Sequence, residues 1–211
     1  YAAAPVCSAA RLMGLPVCLQ EQNLLPGITN RLLARIAQRI YTSFSESHAH
    51  FPAGKVRLMG NPVREEIIAI RRQMPQREIN RPFTLLVAGG SQGARSINTA
   101  VVDMLPHVDE PGSLQLIHQC GSDDLDRIRQ AYATAGIEAR VEAFFMDMDR
   151  QYAQADLVIC RAGATTVAEL TCIGLPAIFI PFPHAADNHQ EINAGWVVSA
   201  DAGEMILEHD L

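Results

Sequence analysis

Residues 156–194 constrain the fold most strongly, because two apolar runs alternate there with two helical patterns. The predicted elements are a strand at 157–160, a helix at 166–173, a strand at 177–180 and a helix from residue 187 or 188. Both runs are continuous, which is typical of strands buried on both faces of a parallel sheet. Open parallel sheets bind ligands beyond the carboxyl ends of their strands. The stretch therefore predicts an α/β fold with a ligand crevice where these two strands end.

Two groups of polar side chains follow these strands and are expected to face that crevice. They are Arg161, Thr165, Thr166 and Glu169 after the first strand, and His184, Asp187, His189 and Gln190 after the second. Thr166 and Glu169 have the spacing of a capping box, in which the carboxylate only caps the helix. A carboxylate in a first helical turn would also suit two ribose hydroxyls, so both interpretations of Glu169 stay open. The second group has a poor spacing for zinc, and its amide and imidazole groups better suit sugar hydroxyls.

A glycine-rich turn follows another apolar run, at residues 84–88. Its sequence is Gly89-Gly90-Ser91-Gln92-Gly93-Ala94, and a helical pattern begins directly after it. Glycines let a backbone turn sharply and approach a ligand closely, and the free amides of a helix start favour an anion. The turn is interpreted either as a phosphate-binding loop or as a purely structural turn. It is neither a Walker A loop nor a GxGxxG fingerprint, which argues against a nicotinamide-dependent oxidoreductase.

Two further strand ends carry a histidine and an aromatic pair. His118 ends the strand predicted at 114–118 and is interpreted as a core or strand-end histidine. Phe144 and Phe145 end the strand predicted at 140–144. Such a pair more often belongs to the core than to a ligand platform. Phe145 nevertheless lies at the predicted carboxyl edge, where a base would pack on its ring or its backbone.

Regular alternation from residue 84 onward predicts a doubly wound α/β domain. Its strands are predicted near 84–88, 114–118, 140–144, 157–160 and 177–180, and its helices near 93–105, 123–135, 148–155, 166–173 and 188–199. Earlier in the chain, strands are predicted at 17–19, 40–43 and 56–59, and helices at 2–13 and 31–38. Gly60-Asn61-Pro62 interrupts this pattern. Because the residue before a proline is held extended, residues 61–82 are predicted to be a hinge or linker.

The composition limits the kinds of partner. A net charge of −6 provides no basic surface for nucleic acid. No apolar run is long enough to span a bilayer. Arg31, Arg35 and Arg39 recur every four residues in the predicted helix, which indicates a solvated face or a surface for acidic ligands or membranes. The first residue is Tyr1 rather than methionine, so we expect the chain to be a fragment of a longer protein.

Several motifs occur in a fixed order along the chain. They are Gln20-Glu21-Gln22-Asn23, Gly60-Asn61-Pro62-Val63-Arg64, Gly-Gly-Ser-Gln-Gly-Ala from Gly89, His-Gln-x-Gly from His118, Arg-Ala-Gly-Ala-Thr-Thr-x-x-Glu from Arg161, and Pro-x-Pro-x-Ala-x-Asp-x-His-Gln-x-x-Asn-Ala from Pro181. In this order they resemble the MurG family. Its members are bacterial glycosyltransferases that add N-acetylglucosamine to lipid I to make lipid II for peptidoglycan. The resemblance covers nearly the whole chain.

This resemblance implies a GT-B fold, in which two Rossmann-like α/β domains with parallel sheets face each other across a cleft. Residues 1–60 would form the last part of an incomplete amino-terminal acceptor domain. Residues 61–82 would be the linker, and residues 83–211 the domain that binds UDP-N-acetylglucosamine, truncated at its end. The implied reaction is inverting transfer to the C4 hydroxyl of the muramyl residue of lipid I, with no cofactor and no metal.

The resemblance also assigns roles to individual residues. Glu169 would bind the ribose hydroxyls, Arg64 would lie near the nucleotide, and the backbone of Phe145 would contact uracil. The diphosphate would lie against Gly90, Ser91, Gln92, Gly93, Ala164 and Thr165, and the sugar against His189 and Gln190. Asn23 would belong to the acceptor-facing site. The expected location is peripheral, on the cytoplasmic face of the bacterial cell membrane, with roles in cell shape, cell division and the cell cycle. Partners would be the two substrates and proteins of cell-wall synthesis or division.

The chain departs from the family pattern at four places. The opening glycine-rich loop with its histidine and the carboxyl-terminal helix are absent, Gln20 replaces a common histidine, and His189 replaces a frequent glutamine. The catalytic base is therefore expected outside this chain. We predict that the chain alone binds UDP-N-acetylglucosamine but transfers the sugar poorly or not at all. The alternatives are another UDP-sugar enzyme of the same fold, such as a glycolipid glycosyltransferase or a UDP-N-acetylglucosamine 2-epimerase, and a non-catalytic binding module.

Overall fold

The computed structural model describes residues 3–73, 81–90 and 92–211, which form two parallel β-sheets with helices against them. The strands are Cys18–Glu21 (β1), Arg39–Thr42 (β2), Val56–Leu58 (β3), Phe83–Ala88 (β4), Leu114–Gln119 (β5), Glu138–Glu142 (β6), Leu157–Cys160 (β7), Ala177–Phe179 (β8) and Gly203–Met205 (β9). The α-helices are Ala3–Leu12 (α1), Ile28–Leu33 (α2), Glu65–Gln73 (α3), Arg95–Met104 (α4), Leu125–Ala135 (α5), Met148–Gln154 (α6), Ala164–Ile173 (α7) and His189–Val198 (α8). The predicted α/β class with parallel sheets is confirmed.

The larger sheet has the order β6-β5-β4-β7-β8-β9, with every neighbouring pair parallel. The chain first builds outward from β4 to β6, and then returns to the other side of β4 to place β7. Leu85 on β4 consequently pairs with Leu116 of β5 on one side and with Leu157 of β7 on the other. The direction of building reverses between β4 and β7, and ligands bind at such a switch point in open α/β sheets.

Both faces of this sheet are buried, as parallel sheets require. Leu85 and Val87 of β4 point to one face, where they belong to an apolar cluster with Ile97 of α4 and Ile128 of α5. Leu86 points to the other face, whose cluster includes side chains from α3, α6, α7 and α8. The continuous apolar run of β4 follows from this double burial, and the sequence interpretation of that run as a buried strand is confirmed.

The smaller sheet has the order β1-β2-β3 and a separate core, which includes Leu19, Leu33, Ile40 and Val56. The helix predicted at 31–38 is wrong in extent, because α2 ends at Leu33. The three arginines of that prediction therefore do not share one helical face, and Arg39 is the first residue of β2.

The predicted linker, residues 61–82, contains helix α3 over Glu65–Gln73. Its residues Ile67 and Ile70 are buried in the same cluster as Leu170 of α7. Packing of an amphipathic face thus stabilises a helix in a segment that was predicted to be a hinge or linker. The division of the chain at residues 60 and 83 stays a prediction.

Within the described ranges, the structure contains no helix whose length and hydropathy would allow it to cross a bilayer.

Candidate functional site

The carboxyl edge of β4 and β7 opens into two adjoining cavities of about 410 and 580 Å³. Gly90, Arg161 and Thr166 line both of them. The smaller cavity is also lined by Arg64, Phe145, Tyr152, Thr165 and Glu169, and the larger by Gly89, Gln92, Gly93, Gln190 and Glu208. Residues that are distant in sequence are therefore brought together at the switch point of the sheet.

Glu169 is a buried carboxylate in the wall of the smaller cavity, with 6% of its surface exposed. Its Oε1 atom accepts hydrogen bonds from Nε and Nη2 of Arg64, at 3.3 and 3.1 Å. Its Oε2 atom accepts a hydrogen bond from the Tyr152 hydroxyl at 3.2 Å. Burial and the nearby Glu169 carboxylate raise the pKa of Tyr152, so this tyrosine stays a neutral donor.

The capping-box interpretation of Thr166 and Glu169 is wrong. Helix α7 begins at Ala164, two residues earlier than predicted, and Gly163 is its N-cap without a side-chain hydrogen bond. Glu169 therefore lies in the second turn of the helix and contacts Arg64 and Tyr152 instead of the helix end. An ionised carboxylate has about four acceptor sites, so Glu169 can still accept hydrogen bonds from a ligand's hydroxyls.

The glycine turn after β4 is shaped by a close contact with the turn after β5. Gly93 has φ +76° and Gly121 has φ +82°, a region that L side chains rarely adopt. A Cβ atom on Gly93 would overlap the carbonyl oxygen of Cys120, and one on Gly121 would lie 2.5 Å from the carbonyl oxygen of Gln92. Only glycine fits at these two positions. The predicted contact residue Ser91 lies outside the described residues.

Three helices begin at this edge of the sheet without a capping side chain. The N-cap residues are Ala94 for α4, Gly163 for α7 and Asn188 for α8, and none of these three makes a side-chain cap hydrogen bond. The first amides of an uncapped helix carry partial positive charge and need acceptors. The edge therefore offers several groups that suit a bound anion.

Gln119, the last residue of β5, connects the glycine turn to the end of β6. Its side-chain Nε2 donates to the Gly90 carbonyl at 2.8 Å, and its Oε1 accepts from the Phe145 amide at 2.9 Å. Gln119 is itself 2% exposed, and the Phe145 ring is 3% exposed. Phe145 thus belongs to the core, as the sequence interpretation of the aromatic pair held, but that interpretation is wrong for Phe144, which is 51% exposed and lines the smaller cavity. The Phe145 amide is already engaged by Gln119.

His118 is fully buried beneath the glycine turn, and its interpretation as a core histidine is confirmed. Asn98 donates from Nδ2 to the Cys120 carbonyl and to Asp124, so its Oδ1 atom faces Nε2 of His118 at 3.0 Å. The Nε2 atom therefore carries the proton, and Nδ1 accepts from the Tyr132 hydroxyl. Burial lowers the pKa of His118 to about 4.

Arg161 lies between the two cavities, but protein groups already engage its guanidinium. Nη1 donates to the carbonyl oxygens of Ile180 and Pro181, both at 3.1 Å. Nη2 donates to Ser96 at 3.1 Å and forms an ion pair with Glu208. Arg161 therefore ties the ends of β7 and β8 to α4, and holds the wall of the larger cavity in place.

The start of α8 forms the far side of the site. Asp187 and Asn188 have φ values of +53° and +52° just before the helix, and His184 and Asp187 are exposed. His189 is the first residue of α8 and is partly buried. Gln190 lines the larger cavity, and its Oε1 atom accepts from the Phe182 amide at 3.0 Å.

Three predicted site residues, Ala164, Asn23 and His189, do not line either of the two cavities. Ala164 lines a third cavity of about 320 Å³ beside the Gly60-Asn61-Pro62 break, and its carbonyl accepts a hydrogen bond from Asn61. Asn23 belongs to the loop after β1, and its Oδ1 atom accepts from Nδ2 of Asn193 on α8 at 3.2 Å. No group of three or more potential metal ligands was found among the described residues.

Sequence reasoning missed Tyr152, assigned no role to Gln119 and did not single out Asn193. Tyr152 lies in a helix whose sequence pattern does not show that its hydroxyl reaches Glu169. Gln119 and Asn193 were part of recognised motifs. Gln119 ends a parallel strand, and a buried amide at such a position is a usable indication of a loop-fixing role.

A sheet of this strand order, with a glycine turn and open helix starts at its switch point, defines an α/β domain of the Rossmann type. The sequence matches the glycosyltransferase family 28 C-terminal domain over residues 84–211 and the N-terminal domain of the same family over residues 1–42. The chain belongs to glycosyltransferase family 28.

Two comparisons show how much of such a protein the chain represents. The UDP-N-acetylglucosamine–N-acetylmuramyl-(pentapeptide) pyrophosphoryl-undecaprenol N-acetylglucosamine transferase of Geobacter sp. (strain M21) is 46% identical over 212 residues, which cover 100% of this chain and 57% of that protein. The crystal structure of Acinetobacter baumannii MurG is similar with a TM-score of 0.82 and 33% identity, over 100% of this chain and 59% of that one. The chain therefore spans less than two thirds of each. The predicted GT-B fold class is confirmed by this similarity.

A more distant structure shares the fold alone. UDP-GlcNAc 2-epimerase from Neisseria meningitidis, bound to UDP-GlcNAc, is similar with a TM-score of 0.60 and 12% identity, over 96% of this chain and 60% of that one.

Proposed function

We propose that this chain is the UDP-N-acetylglucosamine-binding part of a peptidoglycan glycosyltransferase. The whole protein would transfer N-acetylglucosamine, with inversion, to the C4 hydroxyl of the muramyl residue of lipid I and so form lipid II. Family membership and the name of the Geobacter relative support this reaction. The structural observation that carries the proposal is the buried Glu169 carboxylate, held by Arg64 and Tyr152 in the wall of the switch-point cavity.

In this proposal the nucleoside occupies the smaller cavity. Glu169 accepts hydrogen bonds from the two ribose hydroxyls through the acceptor sites that Arg64 and Tyr152 leave open. Arg64 lies beside the nucleotide with 54% of its side chain exposed. Since Gln119 engages the Phe145 amide, the Phe145 carbonyl is the backbone group that would accept the N3–H of uracil.

The diphosphate would lie between the two cavities, against Gly90, Gln92, Gly93, Ser91 and the first turn of α7 with Ala164 and Thr165. When UDP leaves, negative charge develops on its phosphate oxygens. Preorganised amides stabilise such charge without rearrangement, so the chemistry proposed here uses no metal. His189 and Gln190 at the start of α8 would contact the sugar, and Asn23 would face the acceptor.

The proposed location is the cytoplasmic face of the bacterial cell membrane, where lipid I is anchored and where the protein would bind peripherally. Roles in cell shape and cell division would follow from the supply of lipid II.

Calorimetric titration with UDP-N-acetylglucosamine tests the proposal directly. UDP-glucose, ATP and NAD serve as competing ligands, and selective binding of UDP-N-acetylglucosamine is the expected result. Glu169→Gln keeps the volume of the side chain but removes its charge, and hydrogen bonds to charged groups are worth about 1.5–3 kcal/mol. We therefore expect Glu169→Gln to weaken binding by about tenfold or more.

The matched control is Glu66→Gln, which removes one charge from an exposed position in the first turn of α3. Its affinity for UDP-N-acetylglucosamine should equal that of the unaltered chain. Equal binding of all four ligands, or no effect of Glu169→Gln, would contradict the proposed site. Conversion of UDP-N-acetylglucosamine in the absence of any acceptor would instead favour a 2-epimerase.

A further inference from the structure

The side-chain carboxamide of Asn193 links the two sheets of the molecule next to the proposed sugar site. Asn193 on α8 is fully buried, with 0% of its surface exposed. Its Oδ1 atom accepts from the Leu24 amide at 3.2 Å, and its Nδ2 donates to Oδ1 of Asn23 at 3.2 Å and to the Ala162 carbonyl at 3.4 Å. Leu24 and Asn23 follow β1 of the smaller sheet, whereas Ala162 follows β7 of the larger one.

The segment over residues 21–30 approaches α8 as an organised unit; it comprises the end of β1, the connection to α2 and the first turn of α2, and is called the 21–30 loop below. Glu21, which is 2% exposed, accepts at Oε1 from the Asn23 amide at 3.0 Å and at Oε2 from the Gly27 amide at 3.2 Å. Asn30 donates to the same carboxylate at 2.9 Å. The Asn23 side chain also donates its Nδ2 to Glu21, which leaves its Oδ1 atom facing Asn193. The 21–30 loop therefore presents one fixed acceptor and one fixed amide to α8.

Asn193 is also close in structure to both proposed ligand-binding helix starts. It follows His189 and Gln190 by four and three residues, spacings that place side chains on one side of a helix. Its third partner, the Ala162 carbonyl, immediately precedes the N-cap Gly163 of α7. One side chain thus connects the 21–30 loop with the first turns of α8 and α7.

We propose that Asn193 is a positioning residue that couples UDP-sugar binding to the order of the 21–30 loop. A ligand that fixes the starts of α7 and α8 also fixes the carboxamide between them. The loop then loses less conformational entropy on forming its hydrogen bonds to Asn193 than it does in the chain without ligand, because the carboxamide is already fixed. Because coupling between two sites is reciprocal, an ordered loop in turn favours the bound UDP-sugar. This inference rests on the proposed function, since it requires the UDP-sugar to bind at these helix starts.

Amide hydrogen exchange at Leu24, measured by NMR with and without UDP-N-acetylglucosamine, tests the coupling. In the unaltered chain we expect saturating ligand to slow exchange of the Leu24 amide by about fivefold or more, the lower end of typical coupling between sites. Asn193→Ala should abolish this ligand-dependent change. A purely structural role of Asn193 would alter exchange equally with and without ligand.

The control variant is Gln154→Ala. Gln154 is exposed at the end of α6, and its carboxamide donates a hydrogen bond to the Arg150 carbonyl, which the substitution removes. This variant should leave the ligand effect at Leu24 intact. Asn23→Ala removes a partner of Asn193 from the loop side and leaves the core of α8 unchanged. It should reduce the ligand effect even if Asn193→Ala fails to fold.

Calorimetry on the same samples separates the two proposals. If the unaltered chain does not bind UDP-N-acetylglucosamine, the proposed function fails and this inference fails with it. If it binds but the exchange rate of the Leu24 amide does not change, only the coupling is overturned. A ligand effect that survives fully in Asn193→Ala, or fully in Asn23→Ala when Asn193→Ala does not fold, would also overturn it.

Discussion

The Tyr152 hydroxyl is the group that fixes one oxygen of Glu169, and its loss should be measurable. Tyr152→Phe removes the hydrogen bond to Oε2 of Glu169 at 3.2 Å from a site that is almost fully buried. We expect the free energy of unfolding to fall by about 1–2 kcal/mol, because the carboxylate loses a donor in a poorly hydrated place. UDP-N-acetylglucosamine should also bind more weakly, because the carboxylate is then less fixed. Urea unfolding and calorimetric titration measure the two effects.

Tyr41→Phe is the matched control, since its hydroxyl makes no hydrogen bond to any described residue and lies on β2 of the smaller sheet. Equal stability of the two variants would show that the Tyr152 hydroxyl does not support Glu169.

His118 should make stability depend on pH in a mildly acidic window. Burial lowers its pKa to about 4 in the folded chain, whereas an unfolded histidine titrates near about 6.5. Between these values the unfolded chain binds more protons, so stability falls as pH drops from about 6.5 to about 4. We expect the free energy of unfolding to fall by about 3 kcal/mol in total from this group. Urea unfolding at a series of pH values measures this loss.

His118→Gln should flatten that slope, because glutamine can pair with Asn98 and Tyr132 but does not titrate. Asp124 also faces this network, and its pKa is lowered, chiefly by hydrogen bonding to Arg127. Its contribution to stability is lost below its ordinary value near 3.8, which lies under the window of His118. An unchanged slope between pH 6.5 and 4 in the variant would show that the histidine is not the titrating group.

At the level of single residues, the sequence predicted which side chains lie at the site better than it predicted their contacts. Glu169 was selected as a candidate because it follows a strand end, and it does line the cavity. Its partner Arg64 is 105 residues away in the sequence. The local capping-box pattern was misleading for the same reason, since a capping box involves only neighbours along the chain.

At the level of elements, the turns after β4 and β5 contact each other so closely that neither Gly93 nor Gly121 should tolerate replacement by a residue with a side chain. Gly93→Ala would place a Cβ atom against the Cys120 carbonyl and require a methyl-bearing residue at φ +76°. We expect a loss of about 1–3 kcal/mol in stability from the strained backbone. UDP-N-acetylglucosamine binding should weaken markedly, because the glycine turn must move. Thermal unfolding and calorimetric titration report the two losses separately.

Gly112→Ala provides the comparison, because a Cβ at Gly112 meets no atom within 4 Å and its φ is not positive. That variant should be as stable as the unaltered chain and bind the ligand equally well. Normal binding by Gly93→Ala would mean that the glycine turn does not contact the ligand.

Elements with a clear hydrophobic period were predicted well, and marginal ones were not. The strands and helices between residues 84 and 180 lie within a few residues of their predicted positions, because long apolar runs and glycine stops define them. Helix α3 was missed although Ile67 and Ile70 recur at helical spacing, because a linker was expected after Pro62. Strand β9 was also missed, since Gly203–Met205 is too short to show an alternation.

At the scale of the whole molecule, the class of fold followed from the sequence and the order of the strands did not. Alternating strands and helices predict a parallel sheet but fit several strand orders. Packing of helices against the two apolar faces of the larger sheet decides which strand pairs with β4 on the side opposite β5. The contacts between the two sheets, such as Asn23 with Asn193 and the ring contact of Phe44 with Trp196 at 5.0 Å, likewise depend on side chains far apart in sequence.

The strand order also determines when the site can come into existence as the chain is made. Of the strands of the larger sheet, synthesis delivers β4, β5 and β6 first, and these can pair as soon as they emerge. The pairing of β4 with β7, which creates the switch point, joins Leu85 to Leu157 and must wait for a much later segment. Non-local pairings of this kind are slow steps in folding. A nucleotide bound at the proposed site could therefore not assist the early stages of folding, and it would stabilise the chain only after α7 has docked beside β4.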